Sequence, residues 1–232
     1  MFFIIPLIIV VMILCIKTKK LTVPASLTAG LIAFLIFLGT GYTGIAMLGS
    51  FFVMGILATS HKKQLKAVIG EHQQERKAGQ VLANGGVAAI MATLAFTYPA
   101  HQGLYIIMLA GSLASAAADT LSSELGMVYG RNFYNILTFR REPKGLDGVI
   151  SLEGTLLGAG GALIIATIYV LAYGMDRSFI VIVLAGVLGN LADSVLGAAL
   201  ERKRYINNDT VNFLNTGFAA LMSLLLNYFI SN

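Results

Sequence analysis

The sequence predicts an all-α, polytopic integral membrane bundle of about eight helices, and three observations predict it. Hydrophobic residues make up 57% of the 232-residue chain and charged residues 12%, with a mean hydropathy of +0.81. A chain of this size with so little charge keeps most of its surface in lipid rather than in water. Uninterrupted apolar runs, many near the ~20 residues needed to cross a hydrocarbon core, recur from one end of the chain to the other. The charged residues gather between those runs, as they do in the loops of a multi-pass protein. The runs are continuous and lack the period-two alternation of a barrel strand, which excludes an outer-membrane barrel.

Taken in order, the expected spans are residues 1–16, 21–38, 42–60, 81–98, 103–129, 148–173, 178–200 and 211–230. The first run has no basic residue ahead of it and no small-residue cleavage site behind it, so it reads as a retained helix. Pro99 and the Tyr173-Gly174 step act as stops. Residues 1–232 form a single transmembrane domain, with 1–60 as its N-terminal helices. The only cysteine, Cys15, lies within the first apolar run and offers neither a disulfide nor a thiolate site.

The eight-span order places Lys17, Lys19, Lys20, Lys62, Lys63, Lys66, Arg76, Lys77, Arg131, Arg140, Arg141, Lys144, Arg202, Lys203 and Arg204 in odd-numbered loops, on one side. Of the sixteen Lys and Arg only Arg177 falls on the other. That side is expected to be cytoplasmic, since cytoplasmic loops carry the excess of Lys and Arg. Such loops also bind anionic membrane lipid without any active site. With no transit peptide ahead of the first span, the expected location is the plasma membrane of a prokaryote.

Ionisable groups inside spans cost about 2.5–3.5 kcal/mol each on insertion scales, so each is a candidate for function. Asp119, Glu124, Glu153 and Asp193 qualify. Asp119 and Asp193 each sit about fifteen residues into an inward-running helix, roughly 22 Å from its outer boundary at 1.5 Å per residue. Both therefore lie in the cytoplasmic half, with Glu124 about one and a half turns past Asp119. Ser123 shares a helix face with Asp119, and Ser194 follows Asp193. These hard oxygen groups suit magnesium. The plainer alternative is that each carboxylate hydrogen-bonds a neighbouring helix, through Asn84 or Asn190, and fastens the bundle.

The segments ASAAADTLSSELG and GNLADSVLGAALE are alike and run the same way, so spans five–six and seven–eight read as parallel repeats. Between spans five and six, TFRREPKGLDGVISLEGT combines Arg140, Arg141 and Lys144 with Gly148 and Ser151. It is a candidate phosphate cradle, since guanidinium forks pair with phosphate oxygens and a following helix N-terminus points free N–H groups at an anion. Asn207, Asn208, Asn212 and Asn215 add neutral polar groups on the same side, with capping and helix–helix hydrogen bonds as their ordinary role.

Together, HQQERKAGQVLANGG, ASAAADTLSSELG, PKGLDGVISLEGT and GNLADSVLGAAL resemble a membrane-protein family labelled domain of unknown function 92. It includes plant and cyanobacterial phytyl-phosphate kinase and transmembrane protein 19-like proteins. The resemblance covers residues 76–230, while the first three helices match only in being apolar. It implies phosphoryl transfer from a nucleoside triphosphate, CTP or another, to an isoprenoid monophosphate, giving the lipid diphosphate. Magnesium on Asp119 and Asp193 with Glu124 would bridge phosphate oxygens, with Ser123 beside them; Arg140, Arg141 and Lys144 would offset charge, and Gly148, Ser151, Asn84, Asn190 and Asn212 would complete the nucleotide and phosphate contacts. The expected partners are the isoprenoid phosphate, the nucleotide and membrane lipid, with no nucleic acid.

Two other readings use the same residues. A nucleotidyltransferase would let the lipid phosphate attack the α-phosphate of CTP, releasing pyrophosphate and a CDP-lipid. A transporter or flippase would exploit the glycines and intramembrane acids, but it needs polar groups along a route to both faces, and the outer half is nearly free of them.

Overall fold

A computed structural model describes residues 3–62, 64 and 75–231 of the chain. Lys63, Lys66 and His72, and with them most of the HQQER segment, lie outside the described residues. Seven helices are described: α1 Ile4–Lys17, α2 Val23–Ser60, α3 Ala78–Thr97, α4 Gln102–Tyr129, α5 Leu152–Tyr173, α6 Ser178–Leu196 and α7 Asn208–Ser231. The protein is an all-α, multi-pass integral membrane protein. Six helical stretches among the described residues are long and apolar enough to cross a membrane, and the 14-residue α1 is a shorter apolar helix.

The expected count of eight becomes six long helices and one short one because spans 21–38 and 42–60 run on as a single element, α2. Its 38 residues do not form one straight rod. Gly41 has φ 63 and ψ −147, a conformation that a side chain disfavours, and it breaks the helix there. The ends of α2 come back together, Lys20 Nζ donating to Ser60 Oγ at 3.4 Å. The sequence break seen between residues 38 and 42 is thus the turn of a hairpin rather than an extended loop.

The centre of the bundle is α4, which packs against α2, α3, α5, α6 and α7. Residues 106–118, mostly Ala, Ser and aliphatic, are all buried. Small residues let backbones approach closely where lipid supplies no hydrophobic drive between helices. A methyl group on Gly158 would come 2.7 Å from the Ala118 carbonyl oxygen, so α5 can lie this close only with glycine there. The burial stops at Asp119, which is half-buried, and this is where the packed centre opens into a cavity.

All the described basic segments meet at one end of the bundle. Arg76 N donates to Lys20 O at 3.1 Å and Thr22 N to Arg76 O at 3.2 Å, joining the starts of α2 and α3. His61 and Tyr129 are hydrogen-bonded at 2.8 Å. Arg202, just past α6, donates from Nε to the Asp147 carbonyl and pairs with Glu142 at 2.7 Å. At the opposite end, Arg177 Nη1 donates to Ile230 O, and Gln102 Nε2 to Gly39 O. The relative sidedness expected from the charge pattern therefore holds among the described residues.

The α4–α5 connection carries a two-stranded antiparallel ladder, β1 Tyr134–Asn135 and β2 Val149–Ile150, pairing Tyr134 with Ile150 and Asn135 with Val149. It folds the connection back so that the 145–149 stretch lies against the end of α6. Gly148, at φ 72, has Ala198 N and Ser194 O each 2.5 Å from where a Cβ would sit, so both its conformation and its space require glycine. After α6 the chain makes one π-helical turn, Gly197–Glu201, before reaching Arg202. Such turns insert a residue into a helix and are frequent at functional sites.

Candidate active site

At the basic end a cavity of about 980 Å³ opens between α2, α3, α4, α6, α7 and the 145–149 stretch. Its lining is acidic despite the basic loops around it. Glu75, Asp119, Glu124, Asp147, Asp193, Glu201 and Asp209 face Arg76 and Lys77, seven acids against two bases among the described residues. A polyanionic ligand enters such a space only together with cations.

Asp119 and Asp193 are brought side by side, each within electrostatic reach of the other, with Ser123 next to Asp119. Two neighbouring carboxylates repel unless a cation or a proton lies between them. Asp193 is oriented from below by a buried relay. Ser115 Oγ donates to Asn215 Oδ1 at 3.1 Å, which turns the Asn215 amide nitrogen towards Asp193 Oδ1, to which it donates. Asn215 and Ser115 are both fully buried. Gly189 makes room for the relay, since a Cβ there would meet Ser115 Oγ at 2.1 Å. Glu201 and Asp147 lie within electrostatic reach of Asp193.

Three helix N-termini open on the same cavity, through Lys77 and Gln80 of α3, Ser151 before α5, and Asn208 and Asp209 of α7. Their free N–H groups give the site a partial positive lining that complements phosphate oxygens.

The residues expected from sequence divide into those the fold brings here and those it does not. Asp119, Ser123, Glu124, Asp193, Asn84, Asn212, Gly148 and Ser151 line the cavity. Glu124, however, does not complete a three-acid metal cluster, for five residues along a helix turn it well away from Asp119. It accepts from Thr59 Oγ1 at 3.0 Å and faces the charge of Arg76, and no group of three or more His, Cys, Asp or Glu able to hold a metal occurs among the described residues. Ser151 spends its hydroxyl as the N-cap of α5, accepting from Gly154 N at 3.1 Å.

Arg140, Arg141 and Lys144 do not line the cavity. Arg140 and Arg141 are exposed; the Arg140 carbonyl accepts from Asn135 N, and the Arg141 guanidinium lies 5.8 Å over the Tyr134 ring. Lys144 Nζ donates to the Met127 carbonyl at 3.2 Å and holds the loop to α4. The turn around β1 leaves Arg140 and Arg141 exposed and Lys144 spent on the Met127 carbonyl, so the loop contributes its glycines and backbone to the cavity rather than its cations. Asn190 is buried among α4, α5 and α6, its amide 3.1 Å from the Cβ position of Gly158. Glu153 accepts from Arg131 N at 3.4 Å and is not among the cavity's lining residues.

Beside Lys77, the cavity wall carries Arg76, which the sequence reading counted only as a topology signal. It is half-buried; burial pulls its guanidinium below the usual range while Glu124 acts in the opposite sense. Asn215, Glu201 and Asp147 were equally unassigned. An arginine directly ahead of the glycine- and asparagine-bearing start of α3 was the available signal for the first of them.

A family model described as integral membrane protein DUF92 matches residues 6–220. An uncharacterized membrane protein of Methanocaldococcus jannaschii is 32% identical over 90% of this chain and 87% of its own length. The chloroplastic protein VTE6 of Arabidopsis thaliana is 30% identical over 82% of this chain, which spans 60% of that protein. An uncharacterized membrane protein of Synechocystis is 28% identical over 90% of this chain and 84% of its own. No solved structure matches.

Proposed function

The chain belongs to the integral membrane protein DUF92 family, and from that premise we propose that it is a membrane-embedded isoprenoid monophosphate kinase. It transfers the γ-phosphoryl group of a nucleoside triphosphate to a phosphate oxygen of the lipid monophosphate, releasing the lipid diphosphate and a nucleoside diphosphate. The observation that carries this reading is the Asp119–Asp193 pair in an acid-rich cavity ringed by helix N-termini. The phytyl-phosphate kinases of the resembled family, together with the similarity to VTE6, support the substrate class.

The donor set fits magnesium, which is typically held by one or two carboxylates and completes its shell with water and phosphate oxygens. Asp119 and Asp193 would hold it, with the Ser123 hydroxyl adjacent, and when bound it offsets the charge of the phosphates during transfer. Asn215 fixes the rotamer of Asp193, and Arg76 supplies a guanidinium to the acceptor phosphate. The acceptor is already an anion at neutral pH, so the chain needs no strong general base. By the distribution of Lys and Arg the cavity faces the cytoplasm of a prokaryotic plasma membrane, where nucleotide is available.

The test is product analysis. Purified protein with magnesium, a nucleoside triphosphate and phytyl or geranylgeranyl monophosphate is expected to yield lipid diphosphate and nucleoside diphosphate by mass spectrometry. Pyrophosphate with a CDP-lipid would replace the kinase by a nucleotidyltransferase. No product from folded protein with any nucleotide would remove both.

A further inference from the structure

A second cavity, of about 220 Å³, lies between α1, both limbs of α2 and the start of α3. Its walls are nearly all hydrocarbon, among them Ile8, Met12, Ile45, Leu48 and Phe52. It is not isolated. Arg76, Gln80 and Asn84 line both this pocket and the acidic cavity, so one polar rim separates an apolar space from the aspartate pair's chamber. From Val23, where α2 starts beside that rim, to Ile32 is nine helical steps, which at 1.5 Å each is a depth of about 14 Å.

We infer that this pocket holds the hydrocarbon tail of a single-chain lipid monophosphate, with the phosphate at Arg76 facing the aspartate pair. The inference rests on the kinase reading for its headgroup chemistry and goes beyond it by assigning the tail. Three features select this occupant. The lining offers no polar partner along most of its length, so what fills it is apolar. The rim carries a cation, which suits an anionic head rather than a neutral one. Arg76, Gln80 and Asn84 border both spaces, so a single lipid molecule can keep its tail here and its head in the acidic cavity.

Gly49 provides the probe. It lines the pocket, and a Cβ there would meet nothing within 4 Å, so Gly49→Leu enters empty space and improves helix propensity. The experiment uses the full chain in phosphatidylcholine nanodiscs, photolysed with geranylgeranyl monophosphate carrying a diazirine at its far end. Adducts are expected on α1 and α2 residues of the pocket, with Met12 and Ile8 foremost. Excess unlabelled geranylgeranyl monophosphate should abolish them, dioleoyl phosphatidic acid should not, and Gly49→Leu should cut their yield at least fivefold. Adducts mapping elsewhere, an unchanged yield in Gly49→Leu, or equal competition by phosphatidic acid would each overturn the assignment. Pocket adducts without nucleotide-dependent product would support the tail site and remove the kinase, while product without pocket adducts would do the reverse.

Discussion

Asp119→Asn and Asp193→Asn are each expected to lower the turnover number by ~10²–10³-fold or more, the range for losing a group aimed at developing charge. The amide keeps the shape of the carboxylate and removes one of two neighbouring charges, so folding is not expected to suffer. Thermal melting in detergent should hold or rise. Because the two aspartates act as one site, the double variant should be little worse than the poorer single variant. Lipid diphosphate formation read beside the melting curve checks this. Normal turnover in both single variants would remove the pair from the chemistry, and a collapse of melting with activity would reduce it to a fastening of α4 to α6.

Arg76→Ala is the second large effect. A charge-assisted hydrogen bond is worth about 1.5–3 kcal/mol, so losing it should raise the KM for the lipid monophosphate by ~10- to 150-fold. The same change removes one positive charge that faces Glu124, which lowers stability as well. Pairing Arg76→Met with Glu124→Gln separates the two consequences: melting recovers, KM does not. Recovery of KM in the double variant would mean that Arg76 serves only to neutralise Glu124. Arg140→Ala is the contrasting control, since the Arg140 side chain lies outside the cavity and KM should be unchanged.

The different fates of Arg76 and Arg140 show where the sequence stops being legible. A run of basic residues between spans fixes which loops share a side, because that depends on charge alone. Where each guanidinium points depends on short backbone pairings too small to leave a pattern, the two-residue strands β1 and β2 for Arg140 and the bridge to Lys20 and Thr22 for Arg76. The partnership of Asp119 and Asp193 was legible because matching depths in co-directional helices follow from counting residues. Their relation to Glu124 was not, since it depends on how far α4 is rotated about its own axis and on which neighbour stands there. Asn215 looked like any helix-capping or interhelical asparagine. Only the buried contact with Ser115 fixes which end of its amide meets the carboxylate. The break near residue 41 was visible as a composition change that set 21–38 apart from 42–60, yet the sequence alone did not reveal that the helix resumes directly after one glycine with no loop between the halves.

The π-helical turn Gly197–Glu201 makes the cavity wall depend on backbone winding as well as on side-chain chemistry. Arg202 reaches Asp147 and Glu142 only after that widened turn, and through them it holds the 145–149 stretch against α6. If the same residues wound as an ordinary α-helix, every later side chain would swing by about 100° around the axis. The clasp would then let go although no residue in it had changed. The clasp therefore depends on how the backbone of GAALE winds as well as on the side chains that close it, a constraint that no inspection of side-chain identity would suggest.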